Sequence, residues 1–143
     1  MHSVDEPSPL TSDDQLRSLL AGIRVIAVVG LSANPERDSH HVAAYLQQHG
    51  YCIIPVNPKV AEVLGEKAYA SLRDVPERVD MVDVFRQPAT VPEIVADAIA
   101  IQAGAIWLQE GVVHEAAAAT ARAAGLPVIM DRCLLKEHRR LGL

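Results

Sequence analysis

Apolar residues fall in short runs separated by stretches with helical spacing. Arg24–Val29, Tyr51–Val56, Val79–Phe85, Ala105–Leu108 and Pro127–Met130 are strand-length runs, several of them rich in Val and Ile. Between them the apolar positions recur three and four apart. Val42, Tyr45 and Leu46 form one such face, and Val91, Ile94, Val95, Ala98 and Ile99 another. An Ala-rich stretch from about Val113 to Ala124 and a final segment from Asp131 to Leu141 predict two more helices. Ahead of the first strand, Leu16, Leu19, Leu20 and Ile23 share a face, and Ser12 with Gln15 makes a capping-box pattern. Val60–Leu64 reads as a helical turn before Gly65.

Alternation at this spacing predicts right-handed crossovers, and hence one doubly wound sheet of five parallel strands with helices on both faces. The strand order expected for such a Rossmann-like α/β domain is 3-2-1-4-5. Residues 1–10, with Pro7 and Pro9, read as a loose arm, and residues 11–143 as a single domain.

Composition sharpens this outline. Half of the 143 residues are hydrophobic but only 3% are aromatic, so the core must be aliphatic and Ala-rich. The net charge of -5 and the few aromatics argue against a nucleic-acid partner. No apolar run is long enough for a membrane helix, and the acids and prolines of the first ten residues do not read as a signal peptide. Two cysteines are too few for a disulfide framework, and a reducing, cytoplasmic setting is expected. Cys52, inside an apolar run, is expected in the core.

Ligands of parallel sheets bind beyond the carboxyl ends of the strands. The residues there are Gly30, Val56-Asn57-Pro58-Lys59, Phe85-Arg86-Gln87-Pro88, Gln109-Glu110-Gly111 and Asp131-Arg132-Cys133. The first loop, Gly30-Leu31-Ser32-Ala33-Asn34-Pro35, keeps only the first glycine of a dinucleotide fingerprint. The helix after it still offers N–H groups to a phosphate, with Arg37 close by. Lys59 stands where an NAD site has an acid, and a cation there favours a ribose carrying an extra phosphate, as in coenzyme A or NADP.

Adjacent His40 and His41 point about 100° apart on a helix, and Cys133 and His138 are poorly spaced for zinc, so no metal site is expected. The six histidines read as caps or surface groups. Arg132, Lys136 and Arg140 read as a solvated face of the last helix. Cys133, at that helix's start, sits in a field that favours a thiolate, which makes it a candidate redox thiol.

The ordered set AVVGLSANPERDSHHVAAYLQQHGY, IIPVNPK, DMVDVFRQP, IWLQEG and MDRCLLKEH, over about residues 24–139, resembles the small stand-alone CoA-binding-domain proteins of bacteria. It is also similar to the N-terminal half of the succinyl-CoA ligase alpha subunit. The resemblance implies a coenzyme A or acyl-CoA ligand. It implies that Gly30, Leu31, Ser32, Arg37 and Ser39 form the phosphate-side loop, and that Val56, Asn57, Pro58 and Lys59 hold the phosphorylated adenosine. Phe85, Arg86, Gln87 and Pro88 would pack beside adenine and ribose, Gln109, Glu110 and Gly111 along the pantetheine, and Cys133 near its thiol. The ligase's phosphorylated histidine lies on a second domain, for which 143 residues leave no room, so ligase chemistry is not expected. The expected function is binding of coenzyme A without catalysis of its own. The alternatives are an NADP-dependent oxidoreductase-like binder and a redox thiol protein using Cys133. The residues name no protein partner and no oligomeric state.

Overall fold

The structure is a computed structural model and describes residues 12–143. The expected arm, residues 1–10, lies outside the described residues. The chain runs α1 (Asp13–Gly22), β1 (Val25–Val29), α2 (Asp38–Gln48), β2 (Cys52–Val56), β3 (Glu62–Val63), β4 (Glu66–Lys67), β5 (Met81–Val84), α3 (Val91–Ala100), β6 (Ile106–Leu108), α4 (Glu115–Ala123), β7 (Val128–Ile129) and α5 (Leu134–Arg140).

Five parallel strands form the main sheet in the order β2-β1-β5-β6-β7. The parallel, doubly wound α/β class is as the alternation implies. Counted among these five strands, however, the order is 2-1-3-4-5, because β5 pairs with β1 and not with β2. The expected order 3-2-1-4-5 is corrected in that respect. The reason is local: the outer edge of β2 is already taken. Tyr69 bridges Val56, its N–H donates to the Pro55 carbonyl at 3.0 Å, and its own carbonyl accepts from Asn57 N–H at 2.8 Å. The chain must therefore recross the sheet, and β5 settles on the other side of β1.

The two faces of the sheet pack separately, as alternating side chains require. Val29, Ile54, Val82, Val84, Ile106 and their neighbours pack with α3, α4 and the Leu72 turn. Ile26, Val28, Ile53, Met81 and Trp107 pack with α1, α2 and α5.

Local signals explain the element ends. Ser12 and Gln15 close the capping box of α1 reciprocally. Gly50, at φ 94°, ends α2 in a Schellman turn: its N–H reaches Gln47 O, and Tyr51 N–H reaches Leu46 O at 3.1 Å. The helical turn expected at Val60–Leu64 is instead the antiparallel hairpin β3–β4. Leu64 and Gly65 both have positive φ, 54° and 77°, which matches the right-handed twist of a two-residue hairpin. Cys52 is exposed, not buried, because it is the first residue of β2 at the end of the run.

Candidate functional site

In this strand order the direction of winding reverses between β1 and β5, and the crevice opens above their carboxyl ends. Gly30 lies at that point with φ 88°. A Cβ there would strike the carbonyl oxygen of Phe85, so only glycine lets the two strand ends come this close. The opposite end of the sheet is closed. Asp80 Oδ2 accepts the N–H groups of Arg24 and Val25, both at 2.9 Å, across the start of β1.

Two cavities occupy the crevice. One of about 550 Å³ is lined by Gly30, Ser32, Glu36, Arg37, Asp38, Ser39 and Phe85. The other, about 890 Å³, lies between the β5 and β6 loops and the helices α2 and α5. Its size is within the roughly 300–1,000 Å³ of ligand pockets. Phe85 and Asp38 line both, so the two cavities adjoin along one edge of the α2 start.

The smaller cavity is built by the first turn of α2. Arg37 is its N-cap and makes no side-chain capping bond. The buried hydroxyl of Ser39 accepts the Ser32 N–H at 3.0 Å, and His40 Nδ1 bonds the Ser32 carbonyl at 3.0 Å, so the loop is pinned back on the helix. Leu31 is wholly buried in the core, and its carbonyl accepts from Asn57 Nδ2 at 3.0 Å. That bond ties the ends of β1 and β2 together. Val56 is also core, while Pro58 and Lys59 are exposed and outside the lining of both cavities.

The larger cavity brings together Phe85, Arg86, Gln87, Pro88, Gln109, Glu110, Gly111 and Cys133. Arg86 is half-buried and forms no ion pair among the described residues. The sequence reading missed Asp38, His41, Val42, Thr90, Val112 and Leu135, which also line this space. It also missed the role of Lys136, whose Nζ pairs with Glu110 Oε1 at 3.0 Å at the cavity edge. That contact holds the Lys136 ammonium above its usual range. The other two cations of the expected solvated face are tied as well, Arg132, just before α5, to Glu137 and Arg140 to Asp13 and Glu137.

Behind the cavity stands a second omission, Asp83, a carboxyl with no exposed surface. Burial pushes it up to about 7, opposed only by the hydrogen bond from Gln109. An acid in the middle of the run Val82-Asp83-Val84 was the available signal. The histidines divide: His114 caps α4 through Nδ1, whereas His138 is buried, bonded to Tyr45 Oη at 2.8 Å, and so is not a surface group. Among the described residues no three His, Cys, Asp or Glu cluster as metal ligands, and no helix is long and apolar enough to cross a membrane.

A parallel sheet with a crevice at its switch point is the arrangement in which open α/β domains take up their ligands. Residues 24–139 match the family model for the CoA binding domain, and the chain belongs to that family. The protein YneT of Bacillus subtilis is 39% identical over 127 residues, which cover 89% of this chain and 94% of YneT. A Pyrococcus horikoshii OT3 protein of known structure is 39% identical with a TM-score of 0.91, covering 100% of both chains. The ADP-forming acetate–CoA ligase II of Archaeoglobus fulgidus is 34% identical over 74 residues, 50% of this chain but 11% of the ligase.

Proposed function

We propose that this protein binds coenzyme A or an acyl-CoA across the carboxyl ends of its strands, without catalysing a reaction of its own. The observation that carries this reading is the junction of the two cavities at Asp38 and Phe85. An elongated anionic ligand needs a phosphate seat and an adjoining, less polar channel, and the two spaces supply these in sequence. The chain's part is to bind and orient. The first turn of α2 presents backbone N–H groups, and Arg37 adds a charge beside them. Gly30 lets the main chain approach the phosphates closely. Asn57 and Lys59, with Val56 and Pro58, take the phosphorylated ribose. Phe85–Pro88 flank the nucleotide, with Arg86, which has no ion pair among the described residues, as a second cation. Gln109–Gly111 line the pantetheine arm toward Cys133.

Calorimetric titration with coenzyme A, dephospho-CoA and NADPH tests this. Coenzyme A should bind, dephospho-CoA should bind more weakly, and NADPH should bind least. Tight NADPH binding with none for coenzyme A would overturn the reading in favour of an NADP-type binder.

A second reading rests on Cys133, which is half-buried and lines the larger cavity. Presented with coenzyme A disulfide, its sulfur can attack one sulfur of that bond. A protein–CoA mixed disulfide forms, one coenzyme A thiolate leaves, and the Cys133 proton passes to it through solvent. Intact-mass spectra should gain one coenzyme A unit, and Cys133→Ser should lose it.

A further inference from the structure

We propose that Asp83 is a positioning residue for the crevice: acting through Gln109, it fixes the start of α5 and therefore Cys133. The consequence for the ligand rests on the coenzyme A reading above, but the link itself does not.

Asp83 lies on β5 between Val28 of β1 and Trp107 of β6. Its Oδ1 accepts from Gln109 Nε2 at 2.6 Å, and its Oδ2 has no partner among the described residues. Gln109 passes the connection on, since its Oε1 accepts the Leu134 N–H, the first amide of α5, at 3.4 Å. Trp107, opposite Asp83 in the sheet, donates from Nε1 to the Arg132 carbonyl at 2.8 Å. The two strand residues thus hold the backbone on either side of Cys133. Cys133 is the N-cap of α5 and makes no capping bond of its own, so these bonds are what places it.

A fully buried carboxyl with one orphan oxygen is costly, and an aliphatic residue would pack there more cheaply. Its chemistry gives it a use. As a neutral acid it needs little from Gln109. As a carboxylate its compensation among the described residues is the Gln109 N–H, and the amide is drawn toward it. The long bond to Leu134 is the one that yields, and the start of α5 moves with it. The ionisable groups lining the larger cavity, behind which Asp83 lies, are Asp38 and His41 of α2, Arg86, the Glu110–Lys136 pair and Cys133 itself. None of them bonds to Asp83.

The test is nuclear magnetic resonance of the whole labelled protein between pH 5 and 9, read beside alkylation of Cys133 by iodoacetamide. The Leu134 amide and the Gln109 side-chain amide should titrate with the midpoint of the Asp83 carboxyl carbon. D83N should flatten both and change the alkylation rate of Cys133 by about fivefold, the worth of one hydrogen bond. Should D83N not fold, Q109M keeps the carboxyl and must uncouple Leu134 from its titration. A Leu134 amide that ignores the Asp83 titration in the unsubstituted protein overturns the proposal, as does a Cys133 rate unchanged in both variants. Titrating the same samples with coenzyme A separates the failures. No binding by the unsubstituted protein ends the ligand reading alone, and normal binding with a flat Leu134 signal ends the link alone.

Discussion

The two faces of the sheet are built on opposite rules. The face under α3 and α4 is aliphatic throughout: Ala27, Val29, Ile54, Val82, Val84, Ile106, Leu108 and Val128 meet Val91, Val95, Ala98, Ala118 and Ala121. The face under α1, α2 and α5 is also apolar in the main, yet the buried polar residues Ser39, Asp83, Gln109 and His138 all belong to it or to its helices. Each of the four bonds to a different element or loop: Ser39 to the first loop, Asp83 to Gln109, Gln109 to α5, His138 to Tyr45. One face therefore holds the fold together by burial. The other uses fixed polar contacts to set the positions of α2 and α5, the helices that wall the crevice.

The sharpest way to break this comparison is to move a carboxyl across the sheet. Val82 precedes Asp83 on β5 and points into the aliphatic face. Val82→Asp has no Gln109 to meet it and should cost at least about 4 kcal/mol, a large share of the roughly 5–15 kcal/mol that ordinary domains have. A steep fall in the urea midpoint at neutral pH would show it. An unchanged midpoint would mean that the faces differ less than their side chains suggest.

Asp83 itself supplies the next effect. Its folded pKa of about 7 lies above the usual 3.8, so the folded protein holds a proton that the unfolded chain has released. The stability it contributes is complete below pH 3.8 and is lost as pH rises toward 7. The whole change is on the order of 4 kcal/mol. Because other acids titrate in the same range, the quantity to measure is the unfolding free energy of the unsubstituted protein minus that of D83N. That difference should fall steadily between pH 4 and 7 and level off above. A difference flat across this range would place the carboxyl in contact with water.

How far the sequence reveals this protein follows the same division. Strand and helix positions were legible because burial on one or both sides leaves a periodic trace, and Ser12 and Gly50 marked ends by their chemistry. The strand order was not legible. It depends on Tyr69 occupying the edge of β2, a long-range pairing with no periodic signature. The hairpin at Leu64-Gly65 was hidden because Leu is an unlikely residue for positive φ. At the crevice, the strand-end residues could be named from position alone. Those contributed by helix faces, Asp38, His41, Leu135 and Lys136, could not, because only the packing of α2 and α5 turns them inward. Asp83 was visible as an acid in an apolar run, but its partner is 26 residues away.

Two glycines then separate structure from binding. Gly104 lies against the Asp80 carbonyl at the closed end of the sheet, where a Cβ would come within 2.6 Å of that oxygen. Gly30 presses on Phe85 at the open end and adds a positive φ. Each substitution to alanine should cost about 2–3 kcal/mol. Only Gly30→Ala should also weaken coenzyme A, and by more than the loss of folded protein explains. Denaturation curves paired with calorimetry would decide it, and equal loss of affinity in both variants would detach the crevice from the ligand.

The smallest effect isolates charge from shape. Arg37 and Lys59 are exposed and make no side-chain ion pair among the described residues, so removing either should leave stability within about 0.5 kcal/mol of the original. On the coenzyme A reading proposed above their value lies in the ligand, where a charge-assisted bond to phosphate is worth about 1.5–3 kcal/mol, roughly tenfold to a hundredfold in affinity. Arg37→Ala should weaken coenzyme A and dephospho-CoA alike, because its phosphate partner is common to both. Lys59→Glu should weaken coenzyme A alone, because the ribose phosphate is the group that dephospho-CoA lacks. Lys59 stands outside the lining of both cavities, so to meet that phosphate its long side chain would have to reach in over the end of β2. If Lys59→Glu affects both ligands equally, the ribose phosphate sits elsewhere, and the half-buried Arg86 becomes the cation to replace next.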